Sequence, residues 1–266
     1  MFRSLARLTD RLRGDAYDDR PVGGGFHLWW QGIEAGDPIV GCAVTLEVLR
    51  EPTISALYFW AMQANFLDAT GTSMGAAHTG LQWNLRHRDS RAVNWGGYAQ
   101  AADVTSILEG SLSELPSTPD DRNTRDYPWR TGSPYRFSIQ QSRRGWTSSI
   151  TDIERSSTTV IRELFAGGDR LGGFVVWSEL FCAGRDPHTA VRWSNPTVTR
   201  STGDLDRPTG MTATYPGGRE WRRLDTSVDE IGVVQATDVR RRTAHQSLLG
   251  IHTRRQISVD DGPSEM

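Results

Sequence analysis

The sequence predicts an all-β fold, an antiparallel β-sandwich of the jelly-roll or concanavalin-like kind, and three observations predict it. Short apolar runs recur between clusters of Gly, Pro, Asn and Asp. Apolar and polar residues alternate inside those runs, at the period with which side chains change faces along a strand. No long helical period interrupts them between Ile39 and Arg200, which argues against βαβ units.

The elements follow in order. In the first 13 residues Leu5, Leu8 and Leu12 lie on one helical stripe and Arg3, Arg7 and Arg11 on another, which predicts a short helix docked on the sandwich. A basic surface anchor at a membrane is the alternative. Residues 14–25 are rich in Gly and Asp and read as a linker, so 1–25 form an arm and linker, 26–252 the sandwich, and 253–266 a flexible tail. Strands are expected at 26–31, 41–49, 55–66, 79–85, 92–99, 135–140, 158–164, 173–181 and 190–193, where β-branched and aromatic residues gather. Residues 111–131 and 195–218 carry Pro116, Pro119, Pro128, Pro196, Pro208 and Pro216 and read as loops.

Composition narrows the function classes. The 266 residues suffice for one large core. A net charge of −2 gives no nucleic-acid footprint, and no apolar run reaches membrane-spanning length. Every basic residue is Arg, as GC-rich bacterial coding favours. The opening residues lack the apolar centre of a secretory signal, so a cytoplasmic location is expected. The two cysteines, Cys42 and Cys182, sit in apolar runs and read as buried hydrophobes, with a single bridge between them left open. Trp is over-used, with 10 against 8 Phe and 6 Tyr, and its large amphipathic ring invites a binding explanation.

Alternation sorts the strands into faces. Cys42, Val44, Leu46 and Val48 share one face, and so do Tyr58, Trp60, Met62, Ala64 and Phe66; Leu81, Trp83 and Leu85, Val93 and Trp95, and Tyr135, Phe137 and Ile139 extend this inward set. The outward set is Gln63, Asn65, Gln82, Asn84, Asn94, Arg136 and Gln140. Asn is depleted in strands, so amides there want a reason, and an amide offers both a donor and an acceptor to a hydroxyl-rich ligand. Trp29 and Trp177 share faces with His27, Gln31 and Glu179, placing flat rings beside polar groups as a sugar requires. The simpler alternatives are that the Trp residues fill core and that the amides satisfy a covering loop.

The stretches 56–65, 79–84 and 93–98, with 129–137 and 173–179, resemble a bacterial family catalogued as a domain of unknown function. The likeness spans about Phe26 to Pro196. It implies a lectin-like or jelly-roll sandwich, and it offers no catalytic residues to carry over. A carbohydrate-binding protein is therefore expected, with ligand contacts from Trp29, Gln63, Asn65, Gln82, Asn84, Asn94, Arg136, Gln140 and Trp177.

Two alternatives share the sequence with it. A glycoside hydrolase or polysaccharide lyase would use Glu179, with Arg136 as the structural partner that would instead neutralise it. Glycoside hydrolysis needs a second carboxylate, for which Asp152, Glu47 and Glu163 are candidates, and a lyase would draw on Tyr98, His27 and Arg136. A structural or partner-binding module is the other. No phosphate loop, dinucleotide fingerprint or nucleophile elbow is present. The six His lack metal-ligand spacing. Asp120, Asp121, Asn123 and Asp126 form an oxygen-rich loop able to hold calcium, without EF-hand spacing. No other cofactor is expected.

Overall fold

The computed structural model describes residues 24–100, 103–116, 121–181, 188–217 and 223–251. In chain order the strands are β1 Gly24–Gln31, β2 Ile39–Arg50, β3 Tyr58–Leu67, β4 Ser73–Trp83, β5 Arg91–Gln100, β6 Asp103–Ile107, β7 Thr124–Asp126, β8 Pro134–Gln141 and β9 Trp146–Asp152. They continue with β10 Ser157–Leu164, β11 Arg170–Leu180, β12 Ala190–Arg200, β13 Leu205–Asp206, β14 Gly210–Thr214, β15 Leu224–Val228, β16 Val233–Thr237 and β17 Ser247–Gly250. The named pairings are antiparallel. The expected N-terminal helix and C-terminal tail fall outside the described residues. The helical element among the described ones is a three-residue turn, Arg88–Ser90.

Two sheets result. Nine strands make the first, in the order β17-β14-β1-β11-β3-β4-β5-β6 with β7 also on β5; eight make the second, in the order β10-β9-β8-β2-β12-β16-β15 with β13 on β12. Sheets this broad exceed the eight strands of a whole jelly roll and suit the concanavalin-like alternative.

The core lies between the sheets and is built by the alternation the sequence displays. Phe26, Leu28 and Trp30 of β1, the even residues Tyr58 to Phe66 of β3, Leu81 and Trp95 meet Val44, Leu46, Phe137, Ile139, Trp146 and Trp193 from the second sheet. Phe66 stacks on Trp146 at 5.4 Å between centroids. Two sets of polar side chains trapped here are bonded across the gap. Gln235 of β16 accepts from Trp193 Nε1 and Ser178 Oγ and donates to the Phe26 carbonyl. Ser148 Oγ donates to Thr79 Oγ1. Such buried bonds fix how the two sheets sit on each other, because a lost partner leaves a desolvated group.

Several elements depart from expectation for local reasons. β12 runs through Pro196 to Arg200 because its register shifts between Ser194 and Thr197, and Asn195 takes a left-handed backbone there; Pro is tolerated at such a bulge. β13, β14 and β7 occupy parts of the expected loops. β9 had no expected counterpart, since Ser and Thr hide its alternation. Cys42 is a free, buried thiol 4.0 Å from the Met62 sulfur, and Cys182 lies outside the described residues.

Candidate ligand site on the outer face of the nine-stranded sheet

The outer face of the nine-stranded sheet carries the odd residues of β1, β3 and β11 and the even residues of β4 and β5. Register sets them in rows. Gly25, Glu179, Phe59 and Gln82 lie across β1, β11, β3 and β4; the next row is His27, Trp177, Ala61 and Gly80. Gln63 of β3 pairs with His78 of β4. Gly80 is required where it stands, because a Cβ there would fall on the Trp60 carbonyl of β3. Phe59, Ala61, Val175 and Trp177 form a second apolar cluster, separate from the core.

Rings join across this face. Trp29 and His27 are 6.1 Å apart, His27 and Trp177 6.0 Å, Trp177 and His78 5.8 Å, and His78 and Tyr98 6.3 Å. Phe59 meets both Trp177 and His78. With Phe59 of β3 the rings cross β1, β11, β3, β4 and β5. Trp29 stands at the open end, 39% exposed, with its indole N–H on Thr214 Oγ1. Trp177 is buried.

The electrostatics follow from burial. Glu179 is half-buried among these rings, and desolvation pushes its carboxyl up to about 7, against a smaller opposing pull from the Trp177 side chain. Desolvation also lowers His27 and His78 to about 4, so both are neutral at pH 7. Burial, and then the Glu179 carboxylate, push the Tyr98 phenol up.

The structure brings together part of the expected site. Trp29, Gln63, Asn65, Gln82, Asn94, Trp177 and Glu179 share this face. Several members of the expected set are spent internally or lie elsewhere. Asn84 sits in the turn after β4 and donates to Gln82 Oε1 at 2.9 Å, both buried. Asn94 is buried and donates to Thr124 Oγ1 of β7. Gln63 and Asn65, half-buried, are joined by a long 3.5 Å bond. Arg136 and Gln140 belong to β8 and lie on the outer face of the other sheet. Arg136 there donates to the Asn195 carbonyl and Thr197 Oγ1, so it is neither a ligand group beside Gln63 nor the partner of Glu179. Alternation tells in from out but not which sheet a strand joins, and that is why these two were grouped wrongly.

The other expected carboxylates are also elsewhere. Glu47 pairs with Arg192, Asp152 with Arg130 and Glu163 with Arg144. Of the oxygen-rich loop, Asp121 accepts the backbone N–H groups of Asn123 and Thr124, Asn123 Oδ1 accepts from Arg162, and Asp126 is bonded to His87; Asp120 lies outside the described residues. Those oxygens serve different partners, and among the described residues no group of three or more acidic, His or Cys side chains could hold a metal ion. No helix among the described residues is long and apolar enough to cross a membrane. His78 was missed. Its signal was available, since it shares parity with Gln82 if the strand is extended backward past Thr79.

No protein-family profile and no curated protein matches the chain. Among solved structures it is similar to scytalido-glutamic peptidase with a transition state analog inhibitor, at 14% identity and a TM-score of 0.42, covering 81% of this chain and 97% of that one. The same peptidase with a peptide-based transition state analog gives 12% identity and a TM-score of 0.41 over 81% and 97%. SCP-B, a member of the eqolisin family of peptidases in complex with a tripeptide Ala-Ile-His, gives 11% and 0.38 over 81% and 96%. The likeness is one of β-sandwich fold at low identity.

Proposed function

We propose that this outer face binds carbohydrate. The observation that carries the reading is the run of rings from Trp29 to Tyr98 across five adjacent strands, open to solvent at Trp29. Flat rings take the C–H faces of sugars, and the neutral imidazoles and the Gln63–Asn65 pair supply polar groups for hydroxyls. The contact set is therefore smaller than the sequence suggests and centres on rings rather than amides. A glycan array followed by calorimetry tests it. Trp29→Ala should weaken the best ligand by about 1–3 kcal/mol, the range for losing an anchoring aromatic, with the fold unchanged. An array without a hit on folded protein sinks the reading.

A second reading rests on Glu179. A carboxyl near neutrality in a ring-lined site is suited to general acid–base work. Its glycosidase form is disfavoured. Asp126 on β7 lies four strand positions from β11, about 19 Å at the usual strand spacing, against the roughly 5–9.5 Å that paired carboxylates need. The lyase form loses Arg136 to the other sheet. Peptide hydrolysis, the activity named for the solved structures of similar fold, remains a form of this reading. Turnover of a peptide or polysaccharide that Glu179→Gln abolishes would put it first.

A further inference from the structure

Glu179 is set apart from the other carboxylates that are partly buried. Glu47, Glu51, Asp152, Glu163 and Asp229 each face a guanidinium, and Asp68, Asp121, Asp126 and Asp225 are hydrogen-bonded to hydroxyl, backbone or imidazole groups. Among the described residues no basic side chain pairs with Glu179; burial and Trp177 are what act on it. Its setting is aromatic. Phe59 lies opposite it on β3, Trp177 lies two residues away on its own strand, and on the other side β1 presents Gly25, over which the His27 imidazole lies.

A carboxylate with no cation beside it among the described residues, set among rings whose faces are electron-rich, is complementary to a ligand that brings its own cation. An anionic ligand is repelled there, and a neutral one leaves the carboxylate uncompensated. The other titratable groups facing it do not compete. His27 from β1 and His78 from β4 are neutral at pH 7, Tyr98 from β5 keeps its proton, and β3 supplies only Phe59. We infer that Glu179 makes this face selective for amino sugars, the protonated amine pairing with its half-buried carboxylate beside the ring cluster. The inference rests on the carbohydrate reading and narrows its ligand.

Calorimetry with glucosamine, N-acetylglucosamine and glucose oligomers of matched length and linkage tests it. The glucosamine oligomer should bind at least about tenfold tighter than the other two, as a desolvated cation–ring contact allows. Glu179→Gln should erase that preference. Because the variant could misfold, wild-type protein provides an independent readout. Pairing ionises Glu179, so binding at pH 6 should release a proton, seen as a heat that depends on the buffer. Choline, whose charge does not vary with pH, should bind more tightly as pH rises through about 7. Equal or tighter binding of the acetylated or neutral oligomers, without proton release, overturns the inference and leaves the carbohydrate reading standing. Silence from all three oligomers overturns both.

Discussion

The two outer faces of the sandwich handle charge in opposite ways. On the eight-stranded sheet, carboxylates are matched with arginines and hydroxyls are paired, while Arg136 is held by the Asn195 carbonyl and Thr197 Oγ1. Arg192 bridges Glu47 at 2.6 Å and Asp229 at 2.8 Å, and Glu163 takes two bonds from the Arg144 side chain. Ser138 bonds Ser149, and Thr151 bonds Thr158. On the nine-stranded sheet, rings replace hydroxyls and Glu179 has no described counter-charge. A face that only has to be soluble gains by closing its charges within itself. A face that keeps a carboxylate uncompensated gives up stability, and that is the expected mark of a functional site.

Two matched substitutions break the comparison if it is wrong. The larger effect belongs to Glu179→Gln. In the unfolded chain a glutamate ionises near 4.5, while Glu179 in the fold keeps its proton to about 7. Between those values the native state holds more protons than the unfolded one, so this group makes stability fall as pH rises from about 4.5 to about 7, and the deficit persists above. Gln cannot ionise. The variant should match wild type near pH 4 and exceed it by up to about 3 kcal/mol at pH 8, as 1.36 kcal/mol per pKa unit implies. Urea denaturation at both pH values checks this, and a destabilised variant at pH 8 contradicts the account of Glu179. His27 and His78 act with the opposite sign, costing stability as pH drops from 6.5 towards 4, and they are common to both proteins.

The mirror experiment is Glu163→Gln on the other face. Ser142 and Arg144 hold the Glu163 carboxyl below its ordinary value, Ser142 contributing most. Its contribution is therefore present above about 4.5 and lost as pH falls through the lowered value. Gln should cost about 1 kcal/mol at pH 7, the scale of a partly exposed charge-assisted pair, and nothing in strong acid. Opposite signs for the two Glu→Gln changes at pH 8 would confirm the contrast between the faces.

Alternation made the core legible, and it left the site half legible. The inward residues of β2, β3 and β8 follow directly from period two, because burial on one face leaves no freedom of register. The same parity put Gln63, Asn65 and Trp177 outward. It is silent on strand order, and so cannot tell that the whole core separates Arg136 of β8 from Gln63 of β3. It is silent too on side chains that satisfy each other, and Gln82, Asn84 and Asn94 were offered to a ligand when their hydrogen bonds serve the protein. Strands such as β9, with Thr147, Ser149 and Thr151 outside and Ser148 within, carry too little apolar contrast to be seen.

The smallest expected effect sharpens the contrast most. Gln140 is an exposed amide on β8, chemically the same group as Gln63 and set on the hydroxyl-rich face. If amides as such recruit the ligand, Gln140→Ala should weaken glycan binding. If the ring-lined face is the site, the change should leave affinity within about twofold and stability within about 0.5 kcal/mol, as for an ordinary surface substitution. Titrating the array's best ligand against Gln140→Ala and Trp29→Ala side by side decides between them. Loss in the first variant would move the ligand across the sandwich to the opposite sheet, and the ring path would then have to be read as packing alone.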